Sequence, residues 1–216
     1  MTRQRDECAA GASDLELLSL WSQGDRKSGN QLFQRHFPAV YRFFSNKVSG
    51  DIDDLVQRTF LGCIEARARY QQRASFKTFL FSIARNQLYL HYRTRKRDGA
   101  LDFSVASVHD MGTTPSGAVA CREHERLLLD ALRRLPLDTQ ILVELAYWEE
   151  LEVQELAEVL DVPVNTLYSR LRRARHQLRE HLTTFSAHEP QQWQISYEAL
   201  ERWAFEVRDA TIECVE

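Results

Sequence analysis

The chain has 216 residues, 44% of them hydrophobic and 27% charged, with a formal net charge of −3 and a pI near 6.2. That length allows one or two domains with real cores. No apolar run approaches the ~20 residues that span a bilayer, and the N-terminus carries acids without an apolar segment, so neither a membrane span nor a signal peptide is expected. Four isolated cysteines, Cys8, Cys63, Cys121 and Cys214, lack metal-ligand spacing. They fit reduced thiols in a cytoplasmic protein.

Charge is segregated along the chain. From Ala66 to Arg97 there are nine basic residues and no acid, whereas Glu123 to Asp161 carries eleven acids against three arginines. Basic surfaces separated by acidic ones suggest two nucleic-acid contacts plus faces for something else.

The hydrophobic period is helical nearly throughout, with no convincing alternating strand. Residues 1–12 read as a loose tail. Ser13 or Asp14 caps a short helix, Leu15–Ser22, that ends at Gly24. A longer helix follows over about 28–48, with Leu32, Phe33, Phe37, Val40, Tyr41 and Phe44 inward and a kink expected at Pro38. Gly50 and Asp51 punctuate. A third helix, about 52–70, buries Leu55, Val56, Phe60 and Ile64. After a polar loop at 71–75, a fourth helix runs from Phe76 to about Arg97, with Phe79, Leu80, Ile83, Ala84, Leu88 and Leu90 available for packing. Residues 98–120, rich in Gly, Ser, Thr, Pro and Ala, have no period and read as a flexible linker.

The second domain, 121–182, opens with a helix to about Arg134, breaks at Pro136, and continues with a helix near 139–148. Leu151–Leu182 then reads as a helix-turn-helix. Leu156, Ala157, Leu160 and Val162 give a short first helix, and Pro163 suits the start of the next. In that second helix Leu167, Leu171, Ala174 and Leu178 form one buried stripe. The remaining faces show Asn165, Thr166, Tyr168, Ser169, Arg170, Arg172, Arg173, Arg175 and Arg179. Such a helix can enter a major groove with polar residues toward base edges and arginines toward phosphates.

Two motif sets in order resemble a known family. They are DIDDLVQRTFLGCIEA followed by FKTFLFSIARNQLYLHYRTRKR, and later LRRLPLDTQILVELAYWEELEVQELAEVLDVPVNTLYSRLRRARHQLREHL. Together they resemble the extracytoplasmic-function sigma factors of bacterial RNA polymerase, over about Asp14–Leu182. The resemblance implies an all-α chain of two small helical domains. A four-helix domain like sigma region 2 spans 13–97. A linker, 98–120, joins it to a helix-turn-helix domain like sigma region 4 at 121–182. A C-terminal helical extension, 183–216, lies beyond the common family length.

The same resemblance implies roles for individual residues. Asp53, Asp54, Leu55, Gln57 and Phe60 match the segment that docks on core polymerase. Tyr70, Arg73, Ser75, Phe76, Lys77, Asn86, Tyr89 and Arg93 fall where the family binds and opens the minus-ten element. Asn165, Thr166, Tyr168, Ser169, Arg172 and Arg173 match the reader of the minus-thirty-five element. Core RNA polymerase and promoter DNA are the implied partners, and an anti-sigma factor is left open. No cofactor, metal, membrane association or catalytic activity is implied.

Physical chemistry agrees with this reading. Melted DNA is held by basic grooves with aromatic stacking partners. Tyr70, Phe76, Tyr89 and Tyr92 interleave with Arg73, Lys77, Arg85 and Arg93. A flipped base costs a few kcal/mol, which aromatic stacking at about 1–3 kcal/mol per base can offset.

The chain departs from the family pattern at Leu90 for an aspartate, Phe79 for a tryptophan, Asp161 for the turn glycine and Tyr168 for a basic residue. Asp tolerates the left-handed turn better than most residues.

Plainer readings stand beside these. Asp53 and Asp54 also suit a helix N-terminus, and Arg93–Arg97 a helix C-terminus. Some of the aromatics after Ser75 are core by default. The competing functions are a stand-alone dimeric helix-turn-helix regulator, which needs no Asp53–Phe60 motif, and an enzyme, for which no nucleophile–base pair or phosphate loop is found. The acidic tail, with Trp193 and Trp203, reads either as a docking helix that enlarges the second core or as a cover for a basic face.

Overall fold

The computed structural model describes residues 11–67, 70, 74–95, 101–111 and 123–185. Eight helices make up the described fold: α1 Asp14–Ser22, α2 Arg26–Ser45, α3 Ile52–Ala66, α4 Phe76–Arg95, α5 Glu123–Arg133, α6 Leu137–Tyr147, α7 Val153–Leu160 and α8 Val164–Phe185. No strand occurs among the described residues; one isolated bridge joins Ser107 to Pro136.

Local chemistry sets the ends of α1 and α2. Ser13 and Glu16 form a reciprocal capping box: the Ser13 N–H donates to Glu16 Oε2 at 2.7 Å, and the Glu16 N–H to Ser13 Oγ at 3.3 Å. Gly24 turns the chain at φ 102°. Asp25 then caps α2, accepting from the Lys27 N–H at 3.1 Å and the Ser28 hydroxyl at 2.6 Å. α2 runs through Pro38 as one element, so the proline removes one helical donor without ending the helix.

Trp21 is the keystone of the first half. Its ring meets the edges of Phe33 at 5.3 Å and Phe76 at 6.4 Å, which ties α1, α2 and α4 together. Gly29 lies under the indole, where an added Cβ would come within 2.4 Å of Trp21 Cδ1. α3 buries Leu55, Val56, Thr59 and Cys63. α4 buries Phe76, Leu80, Phe81, Ala84, Leu88, Tyr89 and Tyr92 among others. Leu90, expected to pack, is half exposed.

In the second half, Leu128, Leu132, Leu135, Val143, Trp148, Ala174, Leu178 and Leu182 close a core between α5, α6 and α8. The turn between α7 and α8 places Asp161 at φ 55°, ψ 50°, the left-handed conformation expected of that position. Pro163 precedes α8, and its carbonyl accepts the Thr166 and Leu167 N–H groups at 2.9 and 3.3 Å. Glu150 also adopts a positive φ, of 55°, at a turn that no sequence signal marks.

The two halves are not separate beads. One apolar core runs from Leu17 and Trp21 through Phe44, Leu80 and Leu88 into Leu137, Ile141, Leu145, Leu156 and Leu167. Part of the expected linker is also fitted rather than loose. Phe103 and Val108 are buried, and the Leu137 and Asp138 N–H groups donate to the carbonyls of Ala106 (2.9 Å) and Phe103 (3.1 Å). The apolar residues of this segment, Leu101, Phe103, Val105, Val108 and Met111, do not recur at one sustained period, so the pattern does not mark which of them pack. The rest of the linker, the N-terminal tail before residue 11 and the extension from 186 onward lie outside the described residues.

Two substitutions test these contacts. Gly29→Ala forces the Trp21 ring to move and should destabilise the protein by about 1–3 kcal/mol, read as a lowered Tm. Asp161→Gly should leave the Tm unchanged or raised, whereas Asp161→Val should cost about 1–2 kcal/mol; equal melting of the two variants would contradict the left-handed assignment.

Candidate polymerase and nucleic-acid interfaces

Three surfaces carry the residues singled out by sequence. The first is built by α2 and α3. α3 has a buried stripe, Leu55, Val56, Thr59 and Cys63, and an outward one in which the exposed apolar residues Leu61 and Ile64 adjoin Gln57. With Phe33, Phe37, Asp53, Val56 and Phe60, the outward stripe lines an open apolar hollow of about 310 Å³. Leu61 and Ile64 are 48% and 47% exposed and Phe37 is 40% exposed. Large apolar side chains gathered around a hollow mark an interaction surface rather than scattered surface residues.

The structure brings Asp53, Gln57 and Phe60 to this hollow. Asp54 sits beside it, exposed and paired with Arg58 at 2.8 Å. Leu55 does not join them. It is 2% exposed in the core, because it lies two positions from Asp53 and from Gln57, which turns it about 200° away from both around α3. Sequence reasoning misses Leu61 and places Phe37 and Ile64 inside. The signal is available, since Gln57, Phe60/Leu61 and Ile64 recur at helical steps of three and four.

The second surface is α4 with the segment before it. Arg73 lies outside the described residues. Tyr70 is half-buried, ring to ring with Phe79 at 4.5 Å, and its hydroxyl donates to the Ala74 carbonyl. Phe76 is 2% exposed, wedged between Trp21, His36 and Phe79. It is a core residue, and its ring offers no face for stacking a base. Tyr92 is likewise buried, its hydroxyl bound to the Lys47 carbonyl. Asn86 and Arg93 are exposed.

The remaining α4 groups are covered by the second half of the chain. Ser75 Oγ donates to Glu155 Oε1 at 2.5 Å, and Thr78 Oγ1 donates to the same oxygen at 3.0 Å. Burial pushes the Glu155 carboxyl up, but these bonds and the Glu152 N–H more than offset it and hold its pKa below the ordinary value. Lys77 Nζ donates to the Glu149 carbonyl at 2.6 Å and lies 3.3 Å from Glu149 Oε2. Arg85 donates to the Val159 carbonyl at 2.8 Å and to the Tyr89 hydroxyl at 3.0 Å. Tyr89 donates in turn to Asp138, and its ring stacks on Phe103 at 4.3 Å and 16°. Burial, foremost, drives the Tyr89 hydroxyl pKa well upward.

Deeper in the same interface are two ion pairs from α2 and its end. Lys47 pairs with Glu144 at 0% and 2% side-chain exposure, and Arg42 pairs with Glu149. Burial pushes the Lys47 pKa down against the pull of Glu144. Sequence reasoning singles out none of these acids. An arginine inside α2 and a lysine just past its end, both among apolar residues, are the available signal, because buried cations need partners.

The third surface is α8. Leu167, Leu171, Ala174 and Leu178 are buried as expected. Asn165, Tyr168, Ser169, Arg172 and Arg173 are exposed, and Thr166 is partly so. Tyr168 is 60% exposed near the N-terminus of the helix. The stripe of Asn165, Ser169, Arg172 and Arg173 therefore faces outward as a unit, with α7 holding α8 from behind. Among the described residues no group of three or more His, Cys, Asp or Glu side chains could hold a metal ion. No helix of the described residues is long and apolar enough to cross a membrane.

Comparison with known proteins matches these surfaces to two family models: Sigma-70 region 2 over residues 32–98, and Sigma-70, region 4 over residues 125–178. The ECF RNA polymerase sigma-E factor of Haemophilus influenzae is 30% identical over 177 residues, covering 77% of this chain and 93% of that protein. Its namesake from Escherichia coli strain K12 is 28% identical, covering 76% and 91%. Among solved structures, the sigma factor RpoE from Bartonella quintana, in complex with the anti-sigma factor NepR, is 25% identical with a TM-score of 0.56, covering 71% of this chain and 96% of that one. CnrH, in complex with the cytosolic domain of CnrY, shares the fold at 23% identity and a TM-score of 0.59, covering 82% and 99%. With both sigma regions in order and relatives matched over nearly their whole length at this identity, the chain belongs to the extracytoplasmic-function sigma factors of RNA polymerase.

Proposed function

We propose that the chain directs core RNA polymerase to promoters by three contacts, each made by one of the surfaces described above. The hollow between α2 and α3 docks the polymerase. α4 binds the melted minus-ten strand, with Tyr70, Arg73, Ser75, Lys77, Asn86, Tyr89 and Arg93 as its contacts. α8 reads the minus-thirty-five duplex. The chain is a specificity subunit in this reading and not an enzyme.

The observation that carries the proposal is the outward apolar stripe of α3 with Asp53, Asp54 and Gln57 at its edge. A simple duplex-binding regulator has no use for such a surface on helices other than its reader helix. Leu55 and Phe76 drop out of the contacts because both are core. Tyr168 presents an aromatic ring where the family often has a basic residue, so α8 offers apolar contact, suited to a thymine methyl, beside its arginines. An anti-sigma protein enters as a partner class from the complexes of the structural relatives.

Asp54→Arg with Gln57→Ala replaces the Asp54–Arg58 pair by like charges and strips the polar edge of the hollow. The double variant should lose copurification with core polymerase while its helical circular dichroism stays unchanged. Undiminished copurification would remove the docking assignment.

Arg172→Ala or Arg173→Ala should weaken upstream-element binding by about 1–3 kcal/mol where the arginine meets a base. An arginine on phosphate would instead lower affinity evenly across sequences and flatten the salt dependence. Unaltered binding and transcription in both variants would refute the groove assignment.

A further inference from the structure

We infer that Leu90 is a specificity-determining residue of α4, selecting a thymine in the minus-ten element by packing on its methyl group, an inference that rests on the assignment of α4 as the minus-ten surface.

Five of the described residues of α4 are exposed: Asn86, Leu90, Arg93, Thr94 and Arg95. Two of them are engaged within the protein. Arg95 pairs with Asp51 at 3.0 Å, and the Thr94 hydroxyl donates to the His91 carbonyl at 2.9 Å. The other three share one face. With 3.6 residues per turn, Asn86, Leu90 and Arg93 fall within an arc of about 60°, so they meet a partner side by side. Leu90 is 50% exposed between the other two. α4 carries several cations and no acidic residue from Phe76 to Arg95. Its outer face therefore suits an anionic polymer.

Each of the three side chains offers DNA a different chemistry. Arg93, whose guanidinium lies 5.7 Å from the Phe103 ring centroid, can meet a phosphate. Asn86 has the donor and the acceptor that pair with adenine N6 and N7. Leu90 has neither a charge nor a hydrogen bond to give. Pressed on a phosphate or a polar base edge, it would strip water from that group and return nothing. The apolar group on a base edge is the C5 methyl of thymine. Leucine against that methyl buries apolar area on both sides. Cytosine would instead place its amino group, a donor in need of an acceptor, against the leucine.

The test uses the full-length chain with core RNA polymerase, on a promoter that the wild type selects from a random library by transcription. Each thymine of the minus-ten element, on either strand, is replaced in turn by deoxyuridine, which removes the methyl group and keeps the pairing edge. Binding of fluorescein-labelled templates is read by anisotropy for holoenzymes carrying the wild type, Leu90→Met or Leu90→Ala. Methionine keeps an apolar contact at this position and alanine removes most of it. Because Leu90 is half exposed, both variants should keep the wild-type circular dichroism and Tm.

At one thymine, deoxyuridine should weaken wild-type binding about fourfold, the size expected of one buried methyl group. That loss should persist in Leu90→Met and vanish in Leu90→Ala, which should bind the thymine and deoxyuridine templates alike. A selected minus-ten element without thymine, no deoxyuridine-sensitive position for the wild type, or the same deoxyuridine loss in all three proteins would overturn the inference. So would a Leu90→Ala holoenzyme that binds no template, since one methyl contact cannot account for so large an effect. In each of these cases the sigma assignment stands if the wild type still transcribes with core polymerase. A wild-type holoenzyme that selects no minus-ten element would instead remove the reading of α4, and the role of Leu90 with it.

Discussion

The arrangement of the whole molecule depends on a buried lysine. Lys47 lies just past the end of α2 with no solvent exposure, donating to the Phe43 carbonyl at 2.8 Å and to Glu144, with its ammonium 4.1 Å from the Phe43 ring centroid. Glu144 is held from its other oxygen by Gln140 at 2.8 Å, and the Lys47 carbonyl takes the Tyr92 hydroxyl. One residue thus links α2, α4 and α6, its ammonium bound to the Phe43 carbonyl and Glu144 and its carbonyl to Tyr92. A buried charge left without its partner costs several kcal/mol, whereas the pair itself adds little net stability. The Lys47–Glu144 pair therefore specifies how the halves meet more than how strongly they hold. The neighbouring Arg42–Glu149 pair repeats the arrangement with a less complete set of partners.

From that constraint the division of surfaces follows. Docking α6 on the end of α2 lays α7 along α4, which covers Lys77, Arg85 and Tyr89 and leaves α8 on the outside. The hollow is lined by residues of α2 and α3 alone and stays open, so the proposed docking and duplex-reading surfaces are exposed together. The acidic stretch from Glu123 to Asp161, unexplained by DNA binding, acquires a role as the complement of the basic stretch from Ala66 to Arg97 within one molecule.

Much of this is legible in the sequence itself. The Ser13–Glu16 capping box, the break at Pro136, the left-handed Asp161 and the buried stripe of α8 are local, and local chemistry writes them directly into the order of residues. The outward face of α8 is legible because one helix carries both its buried and its exposed residues. What escapes is non-local. Tyr89 and Phe76 look alike as aromatic residues in a basic helix, and only packing separates a core ring from a covered surface ring. Leu55 shares a motif with Asp53 and Gln57 yet faces the other way. Phe103 packs on Tyr89 from a segment without periodicity, and Glu144, Glu149 and Glu155 gain meaning only from cations and hydroxyls about 80–110 positions away.

Core-dependent initiation is the central claim, and reconstituted transcription tests it most directly. The wild-type chain, core RNA polymerase and a library of random upstream sequences are combined, and the transcribed templates are sequenced. The account predicts initiation that requires the chain, with enrichment of two separated elements, one upstream in duplex DNA and one at the melted start region. Enrichment of a single palindromic duplex site, bound equally well without polymerase and giving no transcripts, would contradict it.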